Sequence, residues 1–172
     1  MKNRIIMFKE RLASKKGVTS IEVVMSVLIV IVIISGFVDL TGILRRGNAV
    51  STNTAYVSRV VGNQGGVQTA QVDNFSGRYV NSNELYTNIQ RSMRSSGIED
   101  DEWEVRIYGV PLTKGTNLPV YDYGSRIPVV VSVDYKWSFT QNFVPGNIEG
   151  THESKNTVVT THKIRNSSYR QN

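Results

Sequence analysis

The sequence predicts an α+β protein in which a long N-terminal transmembrane helix continues into a domain with a short second helix and an antiparallel sheet of three or more strands. Three observations predict this fold class. Residues 23–38 form a run of sixteen uncharged, mostly apolar residues. Helical spacing of apolar residues continues from there to about residue 61. Beyond residue 100, apolar and polar side chains alternate with a period of two, which indicates strands.

Residues 1–17 form a basic leader. They carry six basic side chains and one acidic side chain, Glu10. The chain has 20 basic and 14 acidic residues, so residues 18–172 hold 14 and 13 of them and are nearly neutral. The formal net charge of +6 therefore belongs to a targeting segment. It does not indicate a nucleic-acid-binding surface.

The apolar run predicts a transmembrane helix over residues 18–44. Sixteen helical residues cover about 24 Å, whereas a bilayer core of about 30 Å needs about 20 residues. The span must therefore extend past the run at both ends, and it then includes the carboxylates of Glu22 and Asp39. The basic leader on one side, against Arg45 and Arg46 on the other, predicts a cytoplasmic N-terminus and an exported C-terminal domain.

The segment Lys15-Lys16-Gly17-Val18-Thr19-Ser20-Ile21-Glu22 joins the leader to the apolar run. It resembles the class III signal peptide of type IV pilins, pseudopilins and Tad-type pilin-like proteins. The long exported body makes TadE-like minor pilins and pseudopilins the nearest likeness.

The resemblance assigns a role to each residue of this motif. It implies that a prepilin peptidase cuts after Gly17, behind the basic pair Lys15 and Lys16. Val18 would become the new N-terminus, which is normally N-methylated in the family. Glu22, then the fifth residue, would pair with an N-terminal ammonium, either its own or that of a neighbouring subunit.

Two other interpretations of the same region stay open. A plain single-pass anchor explains the basic flank and the apolar run but not Glu22, because an acidic residue near the centre of a membrane helix costs about 2.5–3.5 kcal/mol. A secretory signal peptide would need small residues at −3 and −1 after the run, and Ser35-Gly36-Phe37 matches that poorly.

The helix is expected to continue past the membrane over residues 45–61, until Gly62-Asn63-Gln64-Gly65-Gly66 ends it. Glycines at 36, 42 and 47 could either bend this helix or permit close packing. A second helix over residues 84–94 is predicted to have Ser82 or Asn83 as its N-cap and Gly97 just beyond its C-terminus. Its apolar face is formed by Leu85, Ile89 and Met93.

Three strands are predicted in the rest of an exported α+β domain that covers residues 62–165. The first contains Trp103, Val105 and Ile107. The strongest alternation fills one face of the second strand, with Ile127, Val129, Val131, Val133, Tyr135, Trp137 and Phe139. A third, Thr/Val-rich strand runs over residues 156–165, and the outer half of the long helix is expected to cover the sheet. Residues 166–172 are expected to form a flexible tail.

No chemistry-bearing motif appears in the exported domain. There is no cysteine, and the ten-residue spacing of His152 and His162 matches no zinc motif. The acidic run at residues 99–102 lacks the central glycine and alternating ligands of a calcium loop. We therefore expect no enzymatic activity, cofactor, metal, small-molecule substrate or direct nucleic-acid binding.

The sequence thus leads to two functional hypotheses of different classes. The first is a TadE-like minor pilin or pseudopilin that is assembled into, or primes, a type IV or Tad-like filament or secretion machine. Its partners would be a prepilin peptidase, other pilin-like subunits, the inner-membrane assembly platform and membrane lipid. The alternative is a single-pass membrane-anchored extracellular binding domain outside any filament. A membrane-anchored hydrolase is a weaker third hypothesis, because no catalytic constellation is present.

Overall fold

The computed structural model describes residues 2–70, 75, 77–146 and 148–163, with side chains from residue 19 onward. The expected α+β class is confirmed: a long N-terminal helix precedes a short second helix and a four-stranded antiparallel sheet. The elements are α1 (Lys2–Gln64), α2 (Ser82–Ser95), β1 (Trp103–Ile107), β2 (Val110–Pro111), β3 (Arg126–Lys136), a 3₁₀ turn (Thr140–Asn142) and β4 (Glu149–Val159).

The chain divides into two compact units. The helix-loop unit comprises Met1–Thr41 of α1 together with the β3–β4 loop, Trp137–Ile148. The sheet unit comprises Gly42–Lys136 and Glu149–Asn172. The helix α1 therefore contributes to both units, and each unit is described by itself below.

In the helix-loop unit, α1 leaves its apolar side chains uncovered. Between residues 21 and 38, every side chain is exposed except those at 32, 35 and 36, which are half-buried. The β-branched residues form a helix here although their intrinsic preference is for strands. A helix that is apolar all round is typical of a membrane span, because only a helix or closed barrel satisfies its own backbone in lipid.

In the sheet unit, the strand order is β2-β1-β3-β4 and every pairing is antiparallel. A two-residue turn joins β1 to β2, and both of its residues, Tyr108 and Gly109, have positive φ angles of 56° and 79°. This is the geometry of a type I′ hairpin turn, whose twist matches that of the strands. The central strand β3 pairs with β4 along its whole length, from Arg126 opposite Val159 to Lys136 opposite Glu149.

The core of the sheet unit forms where α1, α2 and the sheet meet. Val129, Val131 and Val133 of β3 are fully buried, as the period-two pattern predicts. They belong to one apolar cluster with residues of α1 and α2, so the expectation that the outer half of the long helix covers the sheet is confirmed. The helical members are Ala49, Val50, Val57, Val60, Val61, Leu85, Ile89 and Met93. Complete burial of one such aliphatic side chain contributes about 1.5–3 kcal/mol.

The end of α1 requires glycine for two reasons. The helix ends at Gln64, three residues later than predicted, and Gly65 follows with a φ of +74°. Only glycine adopts that conformation without strain. At Gly62 the reason is space, because an added Cβ would lie 2.5 Å from Cγ2 of Val158. Gly36 and Gly42 have no neighbour that a Cβ would meet.

The caps of α2 differ in part from the prediction. Asn81, and not Ser82 or Asn83, is the N-cap: its side chain accepts a 2.8 Å hydrogen bond from the Glu84 amide. Ser82 lies inside the first turn and is fully buried. At the other end, Gly97 has a φ of +74°, as predicted. The amides of Gly97 and Ile98 donate to the carbonyls of Arg94 and Met93, which is a Schellman motif.

Three strand boundaries also differ from the prediction. β3 ends at Lys136, so Trp137 and Phe139 are not part of its buried face; Phe139 is exposed. The short strand β2 is an additional strand, which the three predicted strands did not include. β4 runs over Glu149–Val159 instead of residues 156–165. It starts early because backbone pairing with β3 extends a strand whose first half has no apolar pattern, and it ends at Val159, opposite Arg126, the first residue of β3. Residues 164–172, including the predicted tail, lie outside the described residues.

Candidate functional site

The apolar part of α1 is the first feature of functional interest. Within the described residues, the helical stretch Thr19–Gln64 is the single helix long and apolar enough to cross a membrane. None of its most apolar 18-residue window is buried in the protein. The structure is therefore consistent with a single-pass membrane protein. Soluble core helices, by contrast, bury their apolar face against other elements.

Glu22 is the only charged residue on this helix between Thr19 and Val38, and its side chain is exposed. Its backbone carbonyl accepts a 2.8 Å hydrogen bond from Ser26 Oγ. None of the ion pairs among the described side chains involves its carboxylate. A carboxylate that enters lipid needs a cation or hydrogen-bond donors as partners.

The residues predicted for processing, Lys15, Lys16, Gly17 and Val18, lie in the backbone of α1. Their side chains are outside the described part of the structure. Val18 and Glu22 are four positions apart in the sequence. Because the backbone is helical between them, they lie on the same face of α1, one turn from each other. A charge on the nitrogen of residue 18 would therefore be close to the carboxylate of residue 22.

The second carboxylate of the apolar helix, Asp39, has a different environment. It is 7% exposed, and it accepts hydrogen bonds from three consecutive backbone amides of the β3–β4 loop. Ser138 N and Phe139 N lie 3.1 Å from Asp39 Oδ1, and Thr140 N lies 2.7 Å from Oδ2. These amides begin the 3₁₀ turn Thr140–Asn142, which has no side-chain cap of its own. Asp39 therefore supplies the cap from a distant part of the chain.

Sequence reasoning missed this role of Asp39. The sequence places a lone carboxylate at the far end of the apolar run, which signals that it needs a partner. It does not identify three amides about a hundred residues away as that partner, because any loop has amides to offer. The same contact accounts for the end of the ladder after Lys136: Trp137 N still donates to the Ile148 carbonyl, but the three amides that follow turn toward Asp39.

In the sheet unit, Arg46 joins α1 to the sheet. Its guanidinium lies 3.0 Å from Glu102 Oε2 and donates a 2.6 Å hydrogen bond to the Asp134 carbonyl. Glu102 also accepts from the Glu99 amide. Burial alone would raise the pKa of Glu102, but these two donors outweigh it and hold the pKa below its ordinary value. The acidic run at 99–102 is thus partly structural, since Asp100 also pairs with Arg94.

Both histidines lie in the sheet unit and in separate aromatic contacts. His152 packs on Tyr135, with ring centroids 4.7 Å apart, and His162 lies 5.7 Å from the Phe75 ring. No group of three or more His, Cys, Asp or Glu side chains that could hold a metal ion occurs among the residues that the structure describes.

Comparisons with other proteins add no further information: no family model matches the chain, and no curated protein or solved structure is significantly similar to it.

Proposed function

We propose that this chain is a TadE-like minor pilin or pseudopilin with a structural, non-enzymatic role. A prepilin peptidase would cut the membrane precursor after Gly17. The processed subunit would then be assembled into, or prime, a type IV or Tad-like filament or a related secretion or conjugation machine. Its partners would be the peptidase, other pilin-like subunits and the inner-membrane assembly platform, with lipid around the apolar helix.

The observation that carries the proposal is Glu22. It is an exposed carboxylate on a helix whose neighbouring side chains are apolar, and no cation among the described side chains pairs with it. Cleavage after Gly17 would create an ammonium on Val18, one helical turn away on the same face. A plain membrane anchor has no use for such a carboxylate, because it only opposes insertion.

The distribution of cations supports a cytoplasmic N-terminus and an exported sheet unit. The leader has six basic residues on the N-terminal side of the span. On the other side, two basic residues, Arg45 and Arg46, directly follow the predicted span. The resulting asymmetry is the one that the positive-inside rule associates with a cytoplasmic N-terminus.

Processing provides the first test. Mass spectrometry of the protein extracted from membranes of cells with an active prepilin peptidase should give an N-terminus at Val18, with or without an added methyl group. Gly17→Leu should block the cut, because the leucine side chain is bulky, whereas Gly17→Ala should be partly tolerated. An intact Met1 terminus in the wild-type protein would contradict the proposal.

Assembly provides the second test. Glu22→Ala and Glu22→Gln should both insert into the membrane as well as the wild type, since each removes a charge that opposes insertion. Both should lose crosslinking to other pilin-like subunits, because the partner of the ammonium is gone. Ser26→Ala is the matched control: it removes the hydrogen bond from Ser26 Oγ to the Glu22 backbone carbonyl but keeps the carboxylate. Equal crosslinking in all four proteins would refute an assembly role.

The second candidate is an anchored binding domain outside any filament. It is favoured by the apolar core of the sheet unit, whose members all lie between Ala49 and Val133 and do not include the span. That core does not need Glu22 for stability. If both Glu22 variants behave as the wild type does, this candidate becomes the better one.

A further inference from the structure

The β3–β4 loop, Trp137–Ile148, has a composition that is unusual for a surface connection. None of its twelve residues is charged, although Lys136 and Glu149 flank it directly. Surface loops are generally polar because they face water. Here four large apolar side chains are 40% to 54% exposed, namely Phe139, Phe143, Val144 and Ile148.

Asp39 determines at which turn of α1 this loop lies. Its carboxylate holds the amides of Ser138, Phe139 and Thr140, so the first part of the loop lies beside the turn of α1 that contains Asp39. On the same turn, α1 exposes the side chains of Phe37, Val38 and Leu40. Two apolar surfaces from distant parts of the chain therefore adjoin in the helix-loop unit.

That level corresponds to one boundary of the membrane. Residues 23–38 cover about 24 Å of helix, which is shorter than a hydrocarbon core of about 30 Å. Because the span must extend past this run at both ends, Asp39 falls just inside the hydrocarbon core, close to the polar headgroup region. Trp137 stands at the base of the loop, and tryptophan is enriched at this interface.

The hydrogen bonds at Asp39 also lower the cost of placing the start of this loop in lipid. Unsatisfied backbone amides and an unpaired carboxylate are each costly outside water. Here each group satisfies the other. The turn adds its own bonds, in which the amides of Phe143 and Val144 donate to the Thr140 carbonyl and Trp137 N donates to the Ile148 carbonyl.

We propose that the β3–β4 loop inserts its apolar side chains into the interface of the same bilayer that α1 spans, on the C-terminal side of the span. Asp39 is the positioning residue that holds the loop at this depth. The proposal rests on the membrane span of the proposed function but not on processing or assembly. A bilayer is the occupant that this position favours, because the loop lies beside the turn of α1 at which the apolar run ends.

The chain has no cysteine, so one introduced cysteine gives a unique labelling site. The full-length protein, reconstituted in vesicles of phosphatidylcholine and phosphatidylglycerol, would carry an environment-sensitive fluorophore at Val144→Cys. Val30→Cys, in the middle of the apolar run, is the reference for a position deep in the hydrocarbon core. Tyr123→Cys is the control, because Tyr123 is a 69% exposed side chain of the sheet unit.

The label at 144 should show blue-shifted emission and should be quenched by lipids with a nitroxide near the headgroup. The label at 30 should be quenched best by a nitroxide deep in the acyl chain, and the label at 123 by neither. Emission at 144 equal to that at 123 would overturn the proposal. So would a blue shift that vanishes when the protein is diluted to one copy per vesicle, since a second copy would then be the occupant.

Asp39→Asn tests the positioning role separately. The amide keeps one acceptor oxygen in place of two and loses the charge, so it cannot hold three amides. Quenching at 144 by headgroup nitroxides should fall to the level at 123, while quenching at 30 stays unchanged, which shows that the helix still spans. Unchanged quenching at 144 in this variant would refute the role of Asp39. Normal crosslinking with a water-exposed loop would refute only this inference and not the proposed function.

Discussion

The two units of this chain use the same aliphatic residues with opposite outcomes. Val131 in the sheet unit is fully buried, whereas Val30 in the helix-loop unit is 52% exposed. The difference lies in the pattern and not in the residue type. Alternate residues of β3 face one side and share a core, while an unbroken apolar run on a helix points in every direction.

The comparison separates two sources of stability. The sheet unit buries its apolar surface against itself, so we expect it to fold without a membrane. The helix-loop unit has almost no protein core, and its apolar surface becomes favourable only in a non-aqueous environment. The two carboxylates that flank its apolar run fit this division: Asp39 is satisfied inside the protein, and Glu22 has no cation partner among the described side chains.

The largest expected effect comes from removing residues 1–41. A fragment of residues 42–172, which holds the sheet unit and the β3–β4 loop, should be soluble and should fold cooperatively, because every member of the apolar cluster lies within it. The full chain should require detergent or lipid. Circular dichroism of the fragment should show a mixture of helix and antiparallel sheet that melts in one transition. A random-coil spectrum would mean that the sheet unit depends on the membrane helix.

The next effect uses one substitution in both units. Val131→Asp should unfold the fragment, because it places an unpaired charge in the middle of the core. Val30→Asp in the full chain should leave the sheet unit folded and should weaken insertion by about 2.5–3.5 kcal/mol. Chemical denaturation measures the first effect and membrane extraction the second. Loss of sheet structure in the Val30 variant would show that the sheet unit does not fold independently of the apolar helix.

The ion pair at Arg46 gives a smaller effect in the sheet unit. Its two side chains are only 19% and 24% exposed, so Glu102→Gln should destabilise the fragment by about 1–3 kcal/mol. Glu104→Gln is the matched control. Glu104 also pairs with an arginine, but those side chains are 43% and 55% exposed, so a change of about 0.5 kcal/mol or less is expected.

The same pair predicts a pH dependence. Burial raises the pKa of Glu102, but the Glu99 amide and Arg46 lower it by more than burial raises it. The pKa of Glu102 in the folded state therefore lies below its value in the unfolded state. The contribution of this group is therefore complete above its unfolded pKa and disappears as the pH falls through the folded value. Denaturation of the fragment at several acidic pH values should show a smaller loss of stability for Glu102→Gln than for the wild type. Parallel losses would contradict this.

Much of the fold could be predicted because its signals are local. The apolar run, the period-two pattern of β3 and the i, i+4 spacing in α2 each specify their own element. What could not be predicted depends on pairing between distant residues. β4 begins seven residues early because β3 supplies the partners for its backbone hydrogen bonds. β3 ends early because the amides of residues 138–140 donate to the Asp39 carboxylate and not to a strand. The cap of α2 at Asn81 was missed because Asn81, Ser82 and Asn83 are all good N-cap residues.

The candidate site divides in the same way. Glu22 stands out in the sequence because its neighbours are apolar, and its exposure in the structure agrees with that analysis. The importance of Asp39 and of the uncharged loop appears only when they are brought together. No local pattern links residue 39 to residues 138–140, so a single sequence holds no signal for this contact.

The smallest effect compares two glycines of the sheet unit. Gly97 follows α2 with a φ of +74°, and an added Cβ there would meet no other atom. Gly97→Ala should therefore cost only the strain of a left-handed alanine, about 1–2 kcal/mol.

Gly47 lies inside α1, and an added Cβ would come no closer than 3.8 Å to His152. Gly47→Ala should be neutral or stabilising by up to about 1 kcal/mol, because alanine favours the helix. Urea denaturation of the two variant fragments should give a lower midpoint than the wild type for Gly97→Ala and an equal or higher midpoint for Gly47→Ala. Equal destabilisation by both changes would mean that α1 is not a regular helix at residue 47 in solution.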